Sequence, residues 1–270
     1  MTARNGSDPV LVALDVDGTT IHHDGTMSPA VKDAVQAVAS EGHHVVIATG
    51  RSVLATLPIL EELKLTTGFA VCSNGAITIA IDPSAPGGYE QLETVTFDPA
   101  PALNLLRDSW PDAVVAVEEV GVGFKVSAPF PDGELMGALR VVPWEELVSH
   151  PATRVTFRSP TGTSEDFMDL VERIGLHGVN YAVGFTAWLD INPEGVSKGS
   201  ALEQVRRRIG VEPSLTVAVG DQRNDLEMLR WAARGVAMGQ APDEVKQAAD
   251  EVTSDVDDDG LVPVLRSLLW

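Results

Sequence analysis

The sequence predicts an α/β protein, a parallel sheet with helices on both faces, interrupted by a smaller α+β unit. Three observations predict it. Short apolar runs alternate with segments of helical periodicity at both ends of the chain. That alternation stops after Ile81 at a stretch rich in turn-formers and resumes near Trp188. Clusters of polar residues fall just past the apolar runs, where open α/β sheets bind ligands.

The elements follow in order. Val10 to Leu14 is a continuous apolar run, as expected of a strand buried on both faces. Ser28-Pro29 is a helix start with Pro at the first helical position. Val31, Ala34, Val35 and Val38 then repeat at helical spacing, and Glu41-Gly42 ends the helix. His43 to Ala48 is a second strand, followed by a helix through about Leu63; Phe69 to Cys72 is a third strand. The turn-forming stretch Asp82 to Gly88 is read as a domain boundary. Beyond it come strand-like runs at Val114–Val117, Arg154–Phe157 and Tyr181–Phe185, and helical ones near 100–110 and 164–174. The α/β rhythm returns with a helix from Lys198 to Ile209, a strand from Leu215 to Val219, a helix from Asp225 to Ala232 and a strand from Gly235 to Met238. Helices from about Pro242 and over Leu261–Leu269 close the chain. The expected organisation is a discontinuous Rossmann-like core, residues 1–82 and 189–270, with an inserted unit at 83–188.

Composition narrows the function. At 270 residues, 44% of them hydrophobic, the chain can bury a substantial core. Its apolar runs are far shorter than the roughly 20 residues of a membrane helix, and no apolar signal region follows Arg4, which points to the cytoplasm. A single cysteine, Cys72, excludes an internal disulfide and reads as a small buried residue at a strand end. A formal charge of −20 argues against nucleic-acid and anionic-membrane partners. An anionic substrate would need a local reversal of sign, which metal ions and placed cations supply.

Four clusters carry chemistry. In the first, Asp15 and Asp17 are two apart on a strand, so both carboxylates can enter one site. One can attack phosphorus while the other protonates a leaving oxygen. The same residues also suit a strand ending in an Asp-Gly turn. In the second, Thr49-Gly50-Arg51, a hydroxyl and a backbone N–H make an anion cradle, or Thr49 caps the next helix. The third is Lys198, a cation at a helix start, the wrong end for the helix dipole, so an anion is wanted nearby. The fourth is Gly220 to Asp225, whose Asp221, Asn224 and Asp225 offer hard oxygen ligands suited to magnesium; Asn224 or Asp225 also suits an N-cap. Four bland coincidences, all at strand ends, are improbable together. The acidic turn Asp255 to Gly260 lacks calcium-loop spacing and reads as solvated.

Asp15-Val16-Asp17-Gly18-Thr19, Thr49-Gly50-Arg51, Lys198 and Gly220-Asp221 with Asn224-Asp225 resemble the four ordered motifs of the haloacid dehalogenase superfamily of phosphohydrolases. An insert between the second and third motifs resembles the Cof-type subgroup with an α/β cap there, as do Ser73 to Ala76 and the closing Val252-Thr253 with Asp259-Gly260. The resemblance implies a magnesium-dependent phosphatase acting on a small-molecule phosphate ester, a sugar phosphate or similar, through an aspartyl-phosphate. Asp15 would be the nucleophile and Asp17 the acid and then the base. Thr49, Gly50 and Lys198 would hold phosphoryl oxygens. The Asp15 carboxylate, the Asp17 carbonyl and Asp221 would hold Mg2+, with Asn224 and Asp225 in support. Thr20 departs from the usual apolar residue and touches the flap, where His22 and His23 read as exposed polar residues.

Two other readings compete. A phospho-aspartate receiver domain is smaller, lacks a large insert and has no use for Asp17. A phosphomutase of the same superfamily differs in cap residues that the sequence does not assign.

Overall fold

The computed structural model describes residues 8–159, 163, 165, 166, 169, 179–183 and 188–269. In chain order the first part contains β1 (Leu11–Leu14), α1 (Pro29–Ser40), β2 (His44–Ala48), α2 (Val53–Glu62), β3 (Gly68–Cys72), β4 (Ile77–Ile81) and β5 (Tyr89–Thr94). The middle part contains α3 (Ala100–Ser109), β6 (Val114–Glu119), β7 (Gly123–Val126), β8 (Ala138–Val141), α4 (Trp144–Leu147), β9 (Val155–Arg158), β10 (Val179–Val183) and β11 (Trp188–Pro193). The last part contains α5 (Lys198–Ile209), β12 (Thr216–Gly220), α6 (Leu226–Trp231), β13 (Arg234–Ala237), α7 (Asp243–Ala248), β14 (Glu251–Val252) and α8 (Leu261–Arg266).

Among the described residues the strands form two sheets, one ordered β14-β13-β12-β1-β2-β3-β4-β5 and the other β10-β11-β9-β6-β7-β8. The first is parallel from β14 to β3, and β4 and β5 extend it antiparallel. Its central strand explains the unbroken apolar run at the start of the chain. Val12 and Leu14 join the hydrophobic cluster that includes Val35 and Val38 of α1 and Leu265 of α8. Leu11 and Ala13 join the opposite cluster, with Leu202 and Val205 of α5 and Met228 of α6. A strand covered on both faces buries every side chain, so alternation disappears. The second sheet packs Val115, Phe157, Leu189 and Ile191 against Leu103 and Leu106 of α3. No described helix is long and apolar enough to cross a membrane.

Strand pairing moves both of the boundaries expected from the sequence. The turn-forming residues 82–88 are the loop of the β4–β5 hairpin, with the Asp82 N–H donating to Gly88 O at 3.0 Å, so residues 89–94 belong to the first sheet. At the other end β11 pairs with β9 and β10, which leaves residues 189–193 in the second sheet. The sheets therefore change over near residues 95 and 193. The polar strand β5, Tyr-Glu-Gln-Leu-Glu-Thr and mostly exposed, has no hydrophobic period to announce it. The helix expected at 164–174 and the end of the strand expected at 181–185 lie outside the described residues.

Candidate active site

Register brings the clusters together. Leu14 of β1 stands opposite Ile47 of β2 on one side and Val219 of β12 on the other. Asp15, Thr49 and Asp221 therefore leave the same edge of three adjacent strands, and the Asp15 N–H donates to Val219 O at 3.0 Å. Lys198 enters from the first turn of α5, whose start is fixed by Ser197 and Ser200 in a reciprocal capping box.

The centre is a buried ion cluster. Lys198 Nζ lies 2.6 Å from Asp15 Oδ1 and 2.6 Å from Asp225 Oδ1, and its side chain is fully buried. Burial pushes the lysine pKa down, but the two carboxylates more than offset this, so it stays charged above the ordinary range. Asp15 moves the other way. Burial, and then the nearby Asp225, hold its carboxyl well above the usual aspartate range despite Lys198. Asp221 is pushed up to about 6, chiefly by burial and then by Asp225.

Carboxylate oxygens of Asp15, Asp221 and Asp225 lie within 4.8 Å of one another. These three acids face one ammonium, so full ionisation leaves two positive charges wanting. Asp221 Oδ1 is buried with no hydrogen-bond partner among the described residues, an orphan acceptor of the kind a cation satisfies. Hard oxygen donors and a deficit of two charges fit a divalent ion. Gly18 makes the approach possible. Its φ is +79°, and a Cβ there would overlap the Asp221 carboxylate.

Asp225 is committed elsewhere in the cluster. Its Oδ2 accepts the Asp221 and Gln222 N–H groups at 3.0 and 2.9 Å, while Oδ1 takes Lys198. It thus shapes the 221–225 turn and aims the lysine; its side chain makes no N-cap hydrogen bond to α6. Asn224 does something else: its Nδ2 donates to Asn74 Oδ1 at 2.9 Å, joining this turn to the one after β3.

Asp17 stands apart from the buried cluster. Its carboxylate is 56% exposed and lies in the fork of Arg51, with Nε to Oδ2 at 2.9 Å and Nη2 to Oδ1 at 2.7 Å. Thr49 is buried and its hydroxyl accepts the Arg51 N–H at 3.1 Å, which leaves its own proton to donate. The cap of α2 is instead Ser52, whose hydroxyl accepts from Ala55 N. Asp15, Asp17, Gly50, Arg51 and Asn224 border a cavity of about 380 Å³ whose other wall includes Phe124, Arg154, Trp188 and Asp190 of the second sheet. His23 also borders it, and His22 Nδ1 lies 3.1 Å from Asp257. Burial pushes the Cys72 thiol up to about 12, which leaves it inert.

Several participants stand outside the four motifs. Thr20, placed on the flap, sends its buried hydroxyl to Asp15 O at 2.6 Å. Its departure from an apolar residue was the available signal. Gln240 Nε2 donates to Gly18 O at 2.5 Å and reaches Asp221 Oδ2 at 3.4 Å, with no motif around it. Arg154 crosses from the second sheet to donate to Gly50 O.

Comparison with known proteins gives the family of the chain. A family model described as haloacid dehalogenase-like hydrolase matches residues 12–87 and 144–265. A 5-amino-6-(5-phospho-D-ribitylamino)uracil phosphatase of Bacillus subtilis is 25% identical over 276 residues, covering 97% of this chain and 97% of its own. A second protein of that name from the same organism is 27% identical over 267 residues, covering 96% and 97%. Among solved structures, a phosphatase of the haloalkanoate enzyme superfamily from Bacteroides thetaiotaomicron is 26% identical, with a TM-score of 0.77 over 99% of this chain and 98% of its own. A sugar phosphatase of subclass IIB superposes with a TM-score of 0.79 over 96% and 98% at 24% identity, a likeness of fold.

Proposed function

Since this chain belongs to the haloacid dehalogenase-like hydrolases, we propose that it is a phosphatase of the Cof-type group and hydrolyses a small-molecule phosphate monoester in a magnesium-dependent reaction through a phosphorylated Asp15. The observation that carries this reading is the buried Asp15–Lys198 contact beside Asp221, with Asp15 bordering a cavity whose other wall is the second sheet.

Asp15 is the nucleophile: one carboxylate oxygen bonds to phosphorus as the ester P–O bond breaks, and Asp17 gives its proton to the departing oxygen. Asp17, now ionised, takes a proton from water. The water oxygen attacks phosphorus, the bond to Asp15 breaks, and inorganic phosphate leaves. Lys198, the Thr49 hydroxyl and the Gly50 N–H bind the phosphoryl oxygens and neutralise charge where it builds up. Asp15, Asp221 and the Asp17 carbonyl would hold Mg2+, which supplies further positive charge to the phosphoryl oxygens. Asp225 fixes Lys198 and the turn that carries Asp221, and Asn224 steadies that turn through Asn74. The inserted unit controls access as a cap and excludes water during transfer.

The substrate class in this reading is a sugar phosphate or a related polyhydroxylated ester, supported by the ribitylamino-uracil phosphatases among the relatives. A cytoplasmic location belongs to the same reading, supported by the single, buried cysteine. Purified protein with magnesium, incubated with a panel of phosphate esters, should release phosphate from some and lose that activity in Asp15→Asn. Product analysis separates hydrolysis from isomerisation of the ester. A wild-type protein inert on every ester would defeat the reading.

A further inference from the structure

Arg154 is an expensive residue to place where it stands. It lies just before β9 in the second sheet and is 5% exposed. Its guanidinium sits over the Phe124 ring at 5.3 Å, with Glu118 Oε2 3.7 Å from Nε and Asp190 Oδ2 3.8 Å from Nη1. Nε has no hydrogen-bond partner among the described residues. Buried ion pairs of this kind are weak contributors to net stability, which leaves a role in geometry. The two flanking carboxylates neutralise the guanidinium, so it is poorly suited to capture a second anionic group of a substrate.

Among the described residues its guanidinium makes a hydrogen bond that crosses between the sheets: Nη1 donates to the Gly50 carbonyl. On the other side of the same peptide group, the Arg51 N–H donates to Thr49 Oγ1 at 3.1 Å. The Gly50–Arg51 peptide is therefore held at both its oxygen and its nitrogen. From it extends the Arg51 side chain, whose fork grips both oxygens of Asp17 at 2.7 and 2.9 Å. Asp17 is more than half exposed, and the Arg51 fork is what orders its carboxylate.

We infer that Arg154 is a positioning residue for the acid/base carboxylate: by fixing the Gly50–Arg51 peptide it sets the Arg51 fork, and the fork sets Asp17. The inference rests on the acid/base role proposed for Asp17. Transfer to the leaving oxygen depends on where the Asp17 carboxyl group stands, and the fork is what places it, so misplacing the fork weakens proton delivery. Glu118 carries the same linkage to the neighbouring turn, because its Oε2 accepts from Ser73 Oγ at 2.7 Å and from Thr153 Oγ1 at 3.1 Å. The second sheet thus addresses the acid/base group only when it is seated on the first.

The test is the dependence of kcat/KM on leaving-group basicity, measured with phenyl and 4-nitrophenyl phosphates. These are nearly equal in shape but differ in their need for a proton. In Arg154→Lys, which keeps the charge between Glu118 and Asp190, phenyl phosphate should lose about tenfold more than 4-nitrophenyl phosphate. Equal losses on both esters, as a broken binding contact or a loosened fold would give, overturn the inference, as do unchanged rates or a larger loss on the nitrophenyl ester. If Arg154→Lys does not fold, Arg51→Lys, further along the same linkage and on the cavity wall, must show the selective loss, and equal losses there overturn it as well. Wild-type protein inactive on both esters, with Asp15→Asn no different, counts against the phosphatase reading itself.

Discussion

Lys198 Nζ and Asp15 Oδ1 lie 2.6 Å apart in the interior, with Asp225 on the other side of the ammonium at the same distance. Losing one carboxylate leaves the lysine paired with the other. Asp15→Asn should therefore fold normally, and without metal its denaturation midpoint should match or exceed the wild type, because burial already disfavours the ionised form. Phosphate release should drop by at least about a thousandfold. A well-folded variant that kept its activity would remove Asp15 as nucleophile.

Asp225→Asn should behave in the opposite way. An amide has one acceptor oxygen where the carboxylate has two, so it cannot serve both Lys198 and the Asp221 and Gln222 N–H groups. The expected cost is about 1 to 3 kcal/mol of stability for each buried group left without its partner, together with loss of activity. Urea denaturation measures the first and steady-state assays the second.

Metal binding should depend on pH through Asp221. Its carboxyl titrates at about 6 in the metal-free protein, against 3.8 for an unperturbed aspartate. Magnesium needs the ionised form, so affinity should weaken as pH falls below about 6 and recover by pH 7 to 8. Because the folded-state value is raised, the protonated group contributes stability below the unperturbed value that is lost as pH rises through 6. Asp221→Asn should thus be more stable than wild type in EDTA at pH 7, by roughly 1 to 3 kcal/mol, and the gap should narrow at pH 5. Calorimetric titration and thermal melts at both pH values check this.

Gly18→Ala should impair metal binding more than folding. The added methyl would meet the Asp221 carboxylate, and the backbone at +79° disfavours any side chain. Activity should become dependent on raised magnesium, with at least about a tenfold higher half-saturating concentration, equivalent to about 1.4 kcal/mol of lost binding. An unchanged metal requirement would separate Gly18 from the metal site.

Thr20→Val removes the 2.6 Å hydrogen bond to the carbonyl of Asp15 while keeping the shape of the side chain. A buried carbonyl left without this donor should cost about 1 to 3 kcal/mol. A loss in kcat with KM unchanged would show that the bond orients the nucleophile.

What the sequence revealed depended on where each residue lies. β1 and β12 announce themselves because both faces are buried, and Asp15, Thr49 and Asp221 because polar residues break those apolar runs at their ends. Lys198 is legible as a cation at a helix start. The strands β5 and β8 are not legible, because edge strands with exposed side chains carry no hydrophobic period. Arg51 stood inside a recognised cluster, yet its partner Asp17 is thirty-four positions away. Arg154 and Glu118 were harder still: their importance comes from reaching across to another sheet, and spacing along the chain encodes none of that.

β1 lies between β2 and β12, and the chain supplies these neighbours at very different moments of synthesis. While the ribosome is still making the middle sheet, β1 has its partner on one side and an unpaired edge on the other. Asp15 at its tip then has neither Lys198 nor the Asp221 turn beside it. The emerging protein must carry an apolar strand with an open hydrogen-bonding edge until the last third of the chain arrives, an interval in which that edge is prone to aggregate.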